Sequence, residues 1–557
     1  MSLDDSAELV FLPLGGCAEI GMNLNAYGYG PADDRRWIIA DVGVTFGGAD
    51  TPGIDIITPD PTFLEDKTIE AIFFTHAHED HIGAAGLLWP RIKAPMYATP
   101  FTAELLRAKL VEHGVDEKNL KTIPLGATIE AGPFSVEYVP MTHSIPEMNG
   151  LAITTPLGLI FHTGDWKIDA EPQVGEDFAT ERLQALGEEG VIAMICDSTN
   201  VFEEGESGSE ATVRKALVEL VAKQTGKVAV TTFASNVARV ETVVMAAEAA
   251  GRRVCLVGRS MHKVTNAAKV AGLLKGVQDF VDEEEAGFFP PNNILYLCTG
   301  SQGESRAALG RIARGEHRHV TLGEGDTVIF SSRTIPGNET GIYEMQNALA
   351  DKGVGLITPR MLEGPIHVSG HPCRDELRRM YQWIKPDISV PVHGERRHLL
   401  EHAKYAQSLQ VGQAVTPKNG DMVKLAPGKA RVIDNVPAGR LHLDGGQLVP
   451  AGSAGLTERR KMSFAGCVTV AVALDRNGRA VDGPLCTARG FSESDGGTAE
   501  DFLDLLDEVA EKALGKMKAR DREDDEQVET KLGRAVRKAV ERVARRKPLV
   551  DVIVLRV

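Results

Sequence analysis

The chain has 557 residues, 43% hydrophobic and 25% charged, which is the composition of a globular protein too long for a single core, so two or three domains are expected. No apolar run approaches the ~20 residues that cross a bilayer, and the start of the chain, MSLDDSAE, lacks the basic and apolar regions of a secretory signal, so we expect a cytoplasmic protein without a membrane anchor. Seven isolated cysteines argue against a disulfide framework, and the net charge of −17 leaves the partners open because local patches decide binding.

The first 200 residues alternate short apolar runs with a helical pattern. The run at 101–120 has helical spacing. Runs bounded by Gly, Pro and Asp predict strands at 9–15, 37–42, 70–75, 134–139 and 157–162. This alternation favours an α/β layered domain.

From about residue 209 the pattern starts again. Helical patterns occupy 209–224 and 238–251, and apolar strand patterns follow each of them at 227–234 and 252–258. Further strands are predicted at 293–300 and 326–332. A repeated helix–strand rhythm is typical of a parallel-sheet unit.

The sequence at 425–455 is rich in Pro and Gly and predicts a linker, which we place at 429–455. A small terminal unit follows. It contains strand patterns at 467–475 and 551–557, with helical patterns at 499–518 and 527–547 between them.

The strongest chemical signal is the segment His76-Ala77-His78-Glu79-Asp80-His81, directly after an apolar strand. His76 and His78 share one side of an extended chain because side chains alternate with a period of two. Asp80 and His81 continue into the next turn. Imidazoles and a carboxylate are the ligands that zinc accepts in catalytic sites. The alternative is a solvated His-rich turn, but such a turn seldom lies directly against a buried strand.

One such cluster cannot complete two metal shells, so further ligands are expected from other loops. His143, Asp165 and His393 each follow a predicted strand. Strand ends are the usual place for active-site groups in open α/β layers. Taken singly, each of them would more often be a structural or surface residue.

HAHEDH, a later THS and TGDWK together resemble the metallo-β-lactamase superfamily of dinuclear metallohydrolases. The resemblance implies a four-layer αββα sandwich. It also implies two metal ions, with His76, His78 and His143 on one, Asp80 and His81 on the other, and Asp165 between them. Asp41 matches an early aspartate of the family that supports the site from behind.

Further motifs resemble the β-CASP nucleases and, within them, the ribonuclease J family. They are PLGGCAEIGMN (13–23), VIAMICDSTNVFEEGESGSE (191–210), GRSM (258–261), TGSQGE (299–304), SSRTIPGNE (331–339), HVSGH (367–371) and PVHGE (391–395). The likeness runs from about residue 9 to 425 and is weaker beyond 455.

The resemblance implies a domain order. A metallo-β-lactamase domain occupies 1–208 and 366–428, an inserted α/β β-CASP domain 209–365, and a small α+β C-terminal domain 456–557 with a role in dimerisation. The expected partners are single-stranded, 5′-monophosphorylated RNA and a second copy of the chain, with a tetramer and other RNA-decay proteins as further expectations.

The family pattern carries over residue by residue. Asp197 matches its first additional motif, His371 the second and His393 the third, where His393 completes the second metal shell. RNA-specific relatives have histidine at this third position and DNA-repair relatives tend to have valine, so His393 favours RNA. The segment after Asp41 is more Gly-rich and less acidic than is usual in the family, which puts any accessory cation site there in doubt.

This ligand set suits phosphodiester cleavage. Two metal ions about 3.5–4 Å apart generate hydroxide near neutral pH and neutralise charge on the phosphate, so a bridging hydroxide is the expected nucleophile. His371 is the candidate general acid for the departing 3′-oxygen, Asp197 would orient it, and Asp80 would share the proton handling. The ions are expected to be Zn²⁺, with Mn²⁺ as the alternative.

A phosphate-binding pocket is expected at His367-Val368-Ser369-Gly370-His371, where small residues let backbone N–H groups approach an anion. Ser235 and Asn236 are candidates for the same pocket, although either could instead cap the next helix. In the family such a pocket reads a 5′-monophosphate, which implies 5′→3′ exonuclease activity beside endonuclease activity, in mRNA decay and in the maturation of rRNA and other RNA 5′ ends.

Near the end of the chain, KLGRAVRKAVERVARRK (531–547) combines an apolar helical face with Arg and Lys on the others. Leu532, Val536, Val540 and Val543 form that apolar face. The simplest interpretation is a helix docked on the terminal sheet with a solvated basic side. RNA contact and subunit contact are the alternatives.

Two other functions use similar residues. A small-molecule metallohydrolase would have no use for an inserted unit of ~150 residues with its own phosphate-binding motifs. A non-catalytic scaffold would not need all seven ligands.

Overall fold

The computed structural model describes residues 6–48, 50–335, 337–492 and 498–557. The chain divides into two compact units. The first consists of residues 6–45 and 58–439, and the second of residues 46–57 and 440–557. Among the described residues, no helix combines the length and the apolar character needed to cross a membrane.

The first 200 residues supply most of two large sheets. The strands are Glu8–Gly15 (β1), Cys17–Ala18 (β2), Leu24–Gly30 (β3), Arg36–Ala40 (β4), Thr45–Phe46 (β5), Ile56–Pro59 (β6), Thr68–Phe73 (β7), Met96–Ala98 (β8), Leu120–Thr122 (β9), Thr128–Ala131 (β10), Phe134–Met141 (β11), Met148–Thr155 (β12), Gly158–His162 (β13) and Val191–Asp197 (β14). The helices are Glu79–Ile82 (α1), Ala85–Ile92 (α2), Pro100–Glu112 (α3) and Thr180–Glu189 (α4).

Helix α3 is shorter than the helix predicted over 101–120. It ends at Glu112 because Gly114 takes a φ of 68°, which is outside helical geometry, and strand β9 follows at Leu120.

A five-stranded parallel sheet with flanking helices follows, as the helix–strand rhythm predicts. Its strands lie in the order β16-β17-β15-β18-β19. The strands are Val228–Thr231 (β15), Arg253–Val257 (β16), Ile294–Cys298 (β17), Thr327–Phe330 (β18) and Gly355–Ile357 (β19). The helices are Glu210–Ala222 (α5), Val237–Ala249 (α6), Arg259–Val270 (α7), Glu283–Ala286 (α8), Ala308–Arg314 (α9) and Glu339–Ala350 (α10).

The chain then returns to the first two sheets. The elements of this part of the chain are Arg374–Ile384 (α11), Ile388–Val392 (β20), Gly394–Glu395 (β21), Arg396–Ser408 (α12), Gln413–Ala414 (β22), Asp421–Ala426 (β23) and Arg431–Asn435 (β24). Strand β21 pairs with β2 in a separate two-stranded sheet. Strand β20 pairs in parallel with β14, and β23 pairs with β1. The ends of β14 and β20 therefore lie side by side although almost 200 residues separate them.

The two large sheets pack face to face. One has the order β24-β23-β1-β3-β4-β7-β8-β9 and the other β10-β11-β12-β13-β14-β20-β22. Fully buried side chains from both, such as Phe11, Phe73, Tyr138 and Ile195, form one apolar core. A second core lies between the seven-stranded sheet and helices α4, α11 and α12. The predicted mixed α/β sandwich is confirmed.

The prediction of a linker at 429–455 is wrong, because the structure has strands there. Residues 429–455 contain strand β24, which extends the eight-stranded sheet, followed by Arg440–Asp444 (β25) and Gln447–Pro450 (β26). Gly445 and Gly446, both at positive φ, form the two-residue turn between β25 and β26. Glycine therefore marks tight turns here instead of an unstructured connection.

The second unit contains β25, β26 and a small terminal sheet with the order β28-β27-β29. Its remaining elements are Ala454–Ala465 (α13), Cys467–Leu474 (β27), Ala480–Arg489 (β28), Ala499–Gly515 (α14), Ala519–Arg522 (α15), Asp525–Ala544 (α16) and Leu549–Arg556 (β29). Leu532, Val536 and Val540 of α16 are fully buried in the core that α14 and α16 share with the sheet, so α16 docks as predicted.

Candidate active site

The HAHEDH segment leaves strand β7 and enters helix α1. His76 and His78 are still extended, and their ring nitrogens Nε2 and Nδ1 lie 3.1 Å apart, as the alternation of side chains predicts. Asp80 and His81 lie within the first turn of α1 and therefore point to a different place from the first pair.

His143, which follows strand β11, completes the first group. Its Nε2 lies 3.1 Å from Nδ1 of His78. Burial lowers the pKa of all three imidazoles, that of His78 to about 4, and neighbouring imidazoles lower those of His76 and His143 further. The three rings are therefore held neutral, which is the form that binds a metal ion.

A second group consists of Asp80, His81, Asp165 and His393. Nε2 of His81 lies 3.1 Å from Oδ2 of Asp165, and Nε2 of His393 lies 3.2 Å from Oδ2 of Asp80 and 3.5 Å from Oδ2 of Asp165. Burial lowers the pKa of His81 and of His393, but the carboxylates outweigh it and raise both above their ordinary value.

Asp165 gives the clearest test of whether a metal ion fits. Its Oδ2 contacts the second group, while its Oδ1 is buried and has no hydrogen-bond partner among the described residues. A buried carboxylate oxygen without a partner is costly. A cation beside it would satisfy this oxygen, so the donor set fits a bound metal ion.

Hydrogen bonds from behind orient the ligand rings. Asp41, a left-handed residue with φ 64°, accepts from the backbone N–H and hydroxyl of Thr75 and from Nδ1 of His81, the last at 2.7 Å. Because the Thr75 hydroxyl donates to Asp41, it accepts from Nδ1 of His76 at 3.0 Å. Both rings therefore present Nε2 to the site. This is the supporting role that the resemblance implies for Asp41.

His393 is oriented in the same way by a residue that the sequence did not single out. Thr199 donates its hydroxyl to Oδ1 of Asp197 at 2.7 Å, so it accepts from Nδ1 of His393 at 2.9 Å. Thr199 belongs to the polar run DSTN at the end of β14. That run was the available signal, since a polar run at a strand end is where site residues collect.

His371 lies beside both metal groups. Its ring centre is 5.1 Å from that of His143 and 5.5 Å from that of His393. Nδ1 of His371 lies 2.7 Å from Oδ2 of Asp197. Burial lowers the pKa of His371, but the Asp197 carboxylate outweighs burial and raises it. The pair is therefore placed to hold a proton next to the site.

The HVSGH segment is fixed by its backbone. The carbonyl of Ile366 accepts from the buried guanidinium of Arg239, and the carbonyl of Gly370 accepts from Nδ1 of His143. Asn200, a second residue that the sequence did not single out, donates to Oγ of Ser369 at 2.7 Å and to the carbonyl of His371 at 3.0 Å.

Cations surround this segment. Burial lowers the pKa of His367 to about 3, and the nearby charges of Arg239, Arg333 and Lys167 lower it further. Val368 is buried. Lys167 and Arg239 are buried in ion pairs with Asp169 and Glu210, so the half-exposed Arg333 is the cation among these three that an anion could reach.

The two candidates that follow strand β15, Ser235 and Asn236, have different positions. Oγ of Ser235 lies 3.1 Å from Nε2 of His78, next to the first metal group. Asn236 is buried, caps helix α6 through the N–H of Arg239 and donates to Glu210. Both polar ends of its side chain are used within the protein, which favours the capping alternative for Asn236.

Comparisons with known proteins agree with this arrangement. Four family models match: "Beta-lactamase superfamily domain" over residues 36–185, "Ribonuclease J, beta-CASP domain" over 225–349, "Zn-dependent metallo-hydrolase RNA specificity domain" over 365–417 and "Ribonuclease J C-terminal domain" over 454–557. The first range contains six of the seven candidate ligands, and the third contains His371 and His393.

Full-length relatives match as well. Ribonuclease J of Sinorhizobium meliloti is 46% identical over 99% of this chain and 98% of its own length. Ribonuclease J of Mycolicibacterium smegmatis is 38% identical over 96% of this chain and 95% of its own. A crystal structure of a protein of unknown function from Enterococcus faecalis aligns with a TM-score of 0.52 and 17% identity, covering 75% of this chain and all of that one, a likeness that concerns the fold alone.

Proposed function

The chain belongs to the ribonuclease J family of metallo-β-lactamase/β-CASP nucleases, and from this membership we propose that it is a metal-dependent ribonuclease that degrades single-stranded RNA 5′→3′ from a 5′-monophosphorylated end and also cuts RNA internally. The observation that carries the proposal is the convergence of two metal-ligand groups, the His371–Asp197 pair and the HVSGH segment at the ends of β7, β14 and β20.

Two divalent ions fit the ligand groups, with Asp165 shared between them. His76, His78 and His143 would hold one ion, and Asp80, His81 and His393 the other. When bound, such ions lower the pKa of water and neutralise charge on a phosphodiester. Imidazole and carboxylate donors suit Zn²⁺ and also Mn²⁺.

His371 is the proposed general acid. Because Nδ1 donates to Asp197, Nε2 is left to face the substrate. The Asp197 carboxylate raises the pKa of His371 and so favours the protonated ring, from which Nε2 can give a proton to the departing 3′-oxygen. Asp197 holds the ring in orientation, and Asp80, in contact with His393, is the second candidate for proton handling.

The HVSGH segment would hold a phosphate of the RNA. Ser369, held by Asn200, presents a hydroxyl, and Gly370 brings the backbone close to His143. Arg333, half exposed beside Asn200, adds a positive charge at this place. A terminal monophosphate carries more charge than an internal phosphodiester, which would favour binding of a 5′ end here.

The cellular expectations stay predictions. They are mRNA decay, maturation of rRNA and other RNA 5′ ends, a cytoplasmic location, and a homodimer or tetramer in which the C-terminal domain takes part.

A panel of oligonucleotides of one sequence tests the proposal. The protein is incubated with Zn²⁺ or Mn²⁺ and with 5′-monophosphorylated RNA, 5′-triphosphorylated RNA, circular RNA or DNA. We expect mononucleotides from the monophosphorylated RNA and internal cuts in the circular RNA. His371→Gln protein, purified in the same way, controls for contaminating nuclease. Absence of RNA cleavage together with turnover of a thioester would replace the proposal with a small-molecule hydrolase.

A further inference from the structure

Helix α16 of the second unit carries an unusual concentration of positive charge. Residues 531–547 contain eight lysines and arginines and one glutamate, in a chain whose net charge is −17. The candidate active site lies in the other unit and uses none of these residues.

The orientation of α16 is fixed by its packing. Val528, Leu532, Val536 and Val540 are fully buried against the terminal sheet and α14. These four positions follow one another at intervals of four residues, so they form one stripe along the helix. The opposite side of α16 is therefore held toward solvent.

Five cations on that side define the basic face: Arg534, Arg537, Lys538, Arg542 and Arg545. All five are exposed, and none forms a hydrogen bond or an ion pair within the described ranges. Lys531 and Lys547, at the ends of the segment, are by contrast paired with Asp521 and Glu541. The basic face spans roughly 16 Å, at 1.5 Å per residue.

Repulsion among the cations of the basic face destabilises the helix. Arg534 and Lys538 lie four residues apart, as do Lys538 and Arg542, and like charges at this spacing repel each other. None of these three cations forms an ion pair within the described residues, and Glu541, the one acidic side chain of the segment 531–547, pairs with Lys547. A row of negative charges from outside would relieve the remaining repulsion.

Either a protein partner or a nucleic acid could supply such a row, and the surface of α16 favours the nucleic acid. Protein interfaces have apolar centres depleted of lysine. On α16 the large apolar side chains are turned inward, and Ala539 and Val543 also pack against the buried core. Between its cations the basic face offers only the half-buried Ala535 and the exposed Glu541. A phosphate backbone needs no apolar centre and is bound by arginine and lysine without regard to sequence.

We propose that the basic face of α16 binds the phosphate backbone of single-stranded RNA at a second place, outside the candidate active site. RNA as the polyanion rests on the proposed function. The basic face would strengthen the binding of long RNA without affecting a substrate too short to occupy both places.

Replacing three cations of the basic face with glutamine tests the proposed RNA contact. In Arg534→Gln/Arg537→Gln/Lys538→Gln protein the buried side of α16 is untouched. Fluorescence anisotropy in EDTA measures binding of 5′-monophosphorylated RNAs of about 30 and about 6 nucleotides without turnover. We expect affinity for the long RNA to fall at least tenfold near ~0.15 M salt, and the slope of log K against log salt to become shallower by about 2, since each phosphate contact contributes roughly 0.7.

The control variant Lys215→Gln/Lys223→Gln/Lys263→Gln removes the same charge from exposed positions of the first unit. An equal loss in both variants, or no loss in either, would overturn the proposal. A change in oligomeric state, measured by light scattering, together with an unchanged salt slope would also overturn the proposal. That result would show that the basic face is a subunit contact. Cleavage of the short RNA should be the same in all proteins. Failure of the proposed function would appear as no cleavage of any RNA and is therefore distinguishable.

Discussion

Gly370 shows how little room the candidate site leaves around a metal ligand. A Cβ atom at this position would lie 2.7 Å from Cε1 of His143 and 2.8 Å from Oγ of Ser144. Atoms at such distances overlap, so either the HVSGH segment or the His143 ring would have to move. The carbonyl of Gly370 also accepts from Nδ1 of His143, which leaves Nε2 as the ligand atom. One missing side chain thus couples the phosphate segment to the first metal group.

We predict that Gly370→Ala lowers kcat/KM for 5′-monophosphorylated RNA about 100-fold or more, because a shift of about 1 Å in a reacting group costs this much. Gly364→Ala is the matched control, since a Cβ at Gly364 meets no atom within 4 Å. It should stay within about twofold of the unchanged protein. Steady-state kinetics on one RNA compares the three proteins, and equal rates for Gly370→Ala and Gly364→Ala would contradict the coupling.

At the scale of elements, two buried polar residues hold helices in place. Arg239 of α6 is fully buried and binds Glu210 of α5, the end of β18 through Ser331, and the chain at Ile366 that leads into HVSGH. His402 of α12 is also buried, with Nδ1 2.9 Å from Oγ of Ser198 and Nε2 2.9 Å from the hydroxyl of Tyr381. Ser198 directly follows Asp197, so α12 helps to hold the segment that orients His371 and His393.

Acid should weaken the docking of α12. Burial lowers the pKa of His402 from 6.5 to about 4, although Asp197 partly opposes it. The unfolded chain therefore binds a proton between pH 6.5 and about pH 4 that the folded chain does not, and stability falls as the pH drops through this range. Above pH 6.5 the ring is neutral in both states and contributes no pH dependence.

We predict that His402→Gln removes roughly 1–2 kcal/mol of the stability loss that the unchanged protein shows between about pH 7.5 and pH 5.5. Urea unfolding at both pH values measures it. His262→Gln, at an exposed histidine of α7, should keep the full loss. A pH dependence that is the same in all three proteins would show that His402 does not sense the pH.

At the scale of the whole molecule, the apolar cores do not depend on the metal ligands. The core between the two large sheets and the core of the terminal sheet consist of side chains that are almost all fully buried and include none of the seven ligands. The ligand groups are therefore additions to a framework that holds itself together.

Removal of the ions should therefore abolish cleavage and leave the fold. After treatment with a chelator we expect no RNA cleavage, an unchanged far-ultraviolet circular dichroism spectrum, and recovery of cleavage when Zn²⁺ or Mn²⁺ is returned. The melting temperature should fall, because an ion at 100 times its Kd stabilises the folded state by about 2.7 kcal/mol. Chelator already saturated with Zn²⁺ is the control. Unfolding on chelation would show that the ions are structural.

The sequence by itself determined the features encoded within a few residues. Alternation along an extended chain puts His76 and His78 on one side, the start of α1 turns Asp80 and His81 away, and four-residue intervals bury one stripe of α16. Glycine and proline were less informative. At 429–455 they suggested a linker, but they mark the turns between short strands, because the same residues serve both purposes.

Only the tertiary structure decided which distant residues meet. His393 reaches Asp80 across 313 positions because the sheet that contains β20 packs against the sheet that contains β7. The pairing of β20 with β14 brings Thr199 to His393. The roles of Thr199, Asn200 and Gly370 depend on such contacts, and no pattern of neighbouring residues records them. Local geometry repeats with a period that can be read along the chain, whereas a long-range contact depends on which strands lie side by side in the sheet.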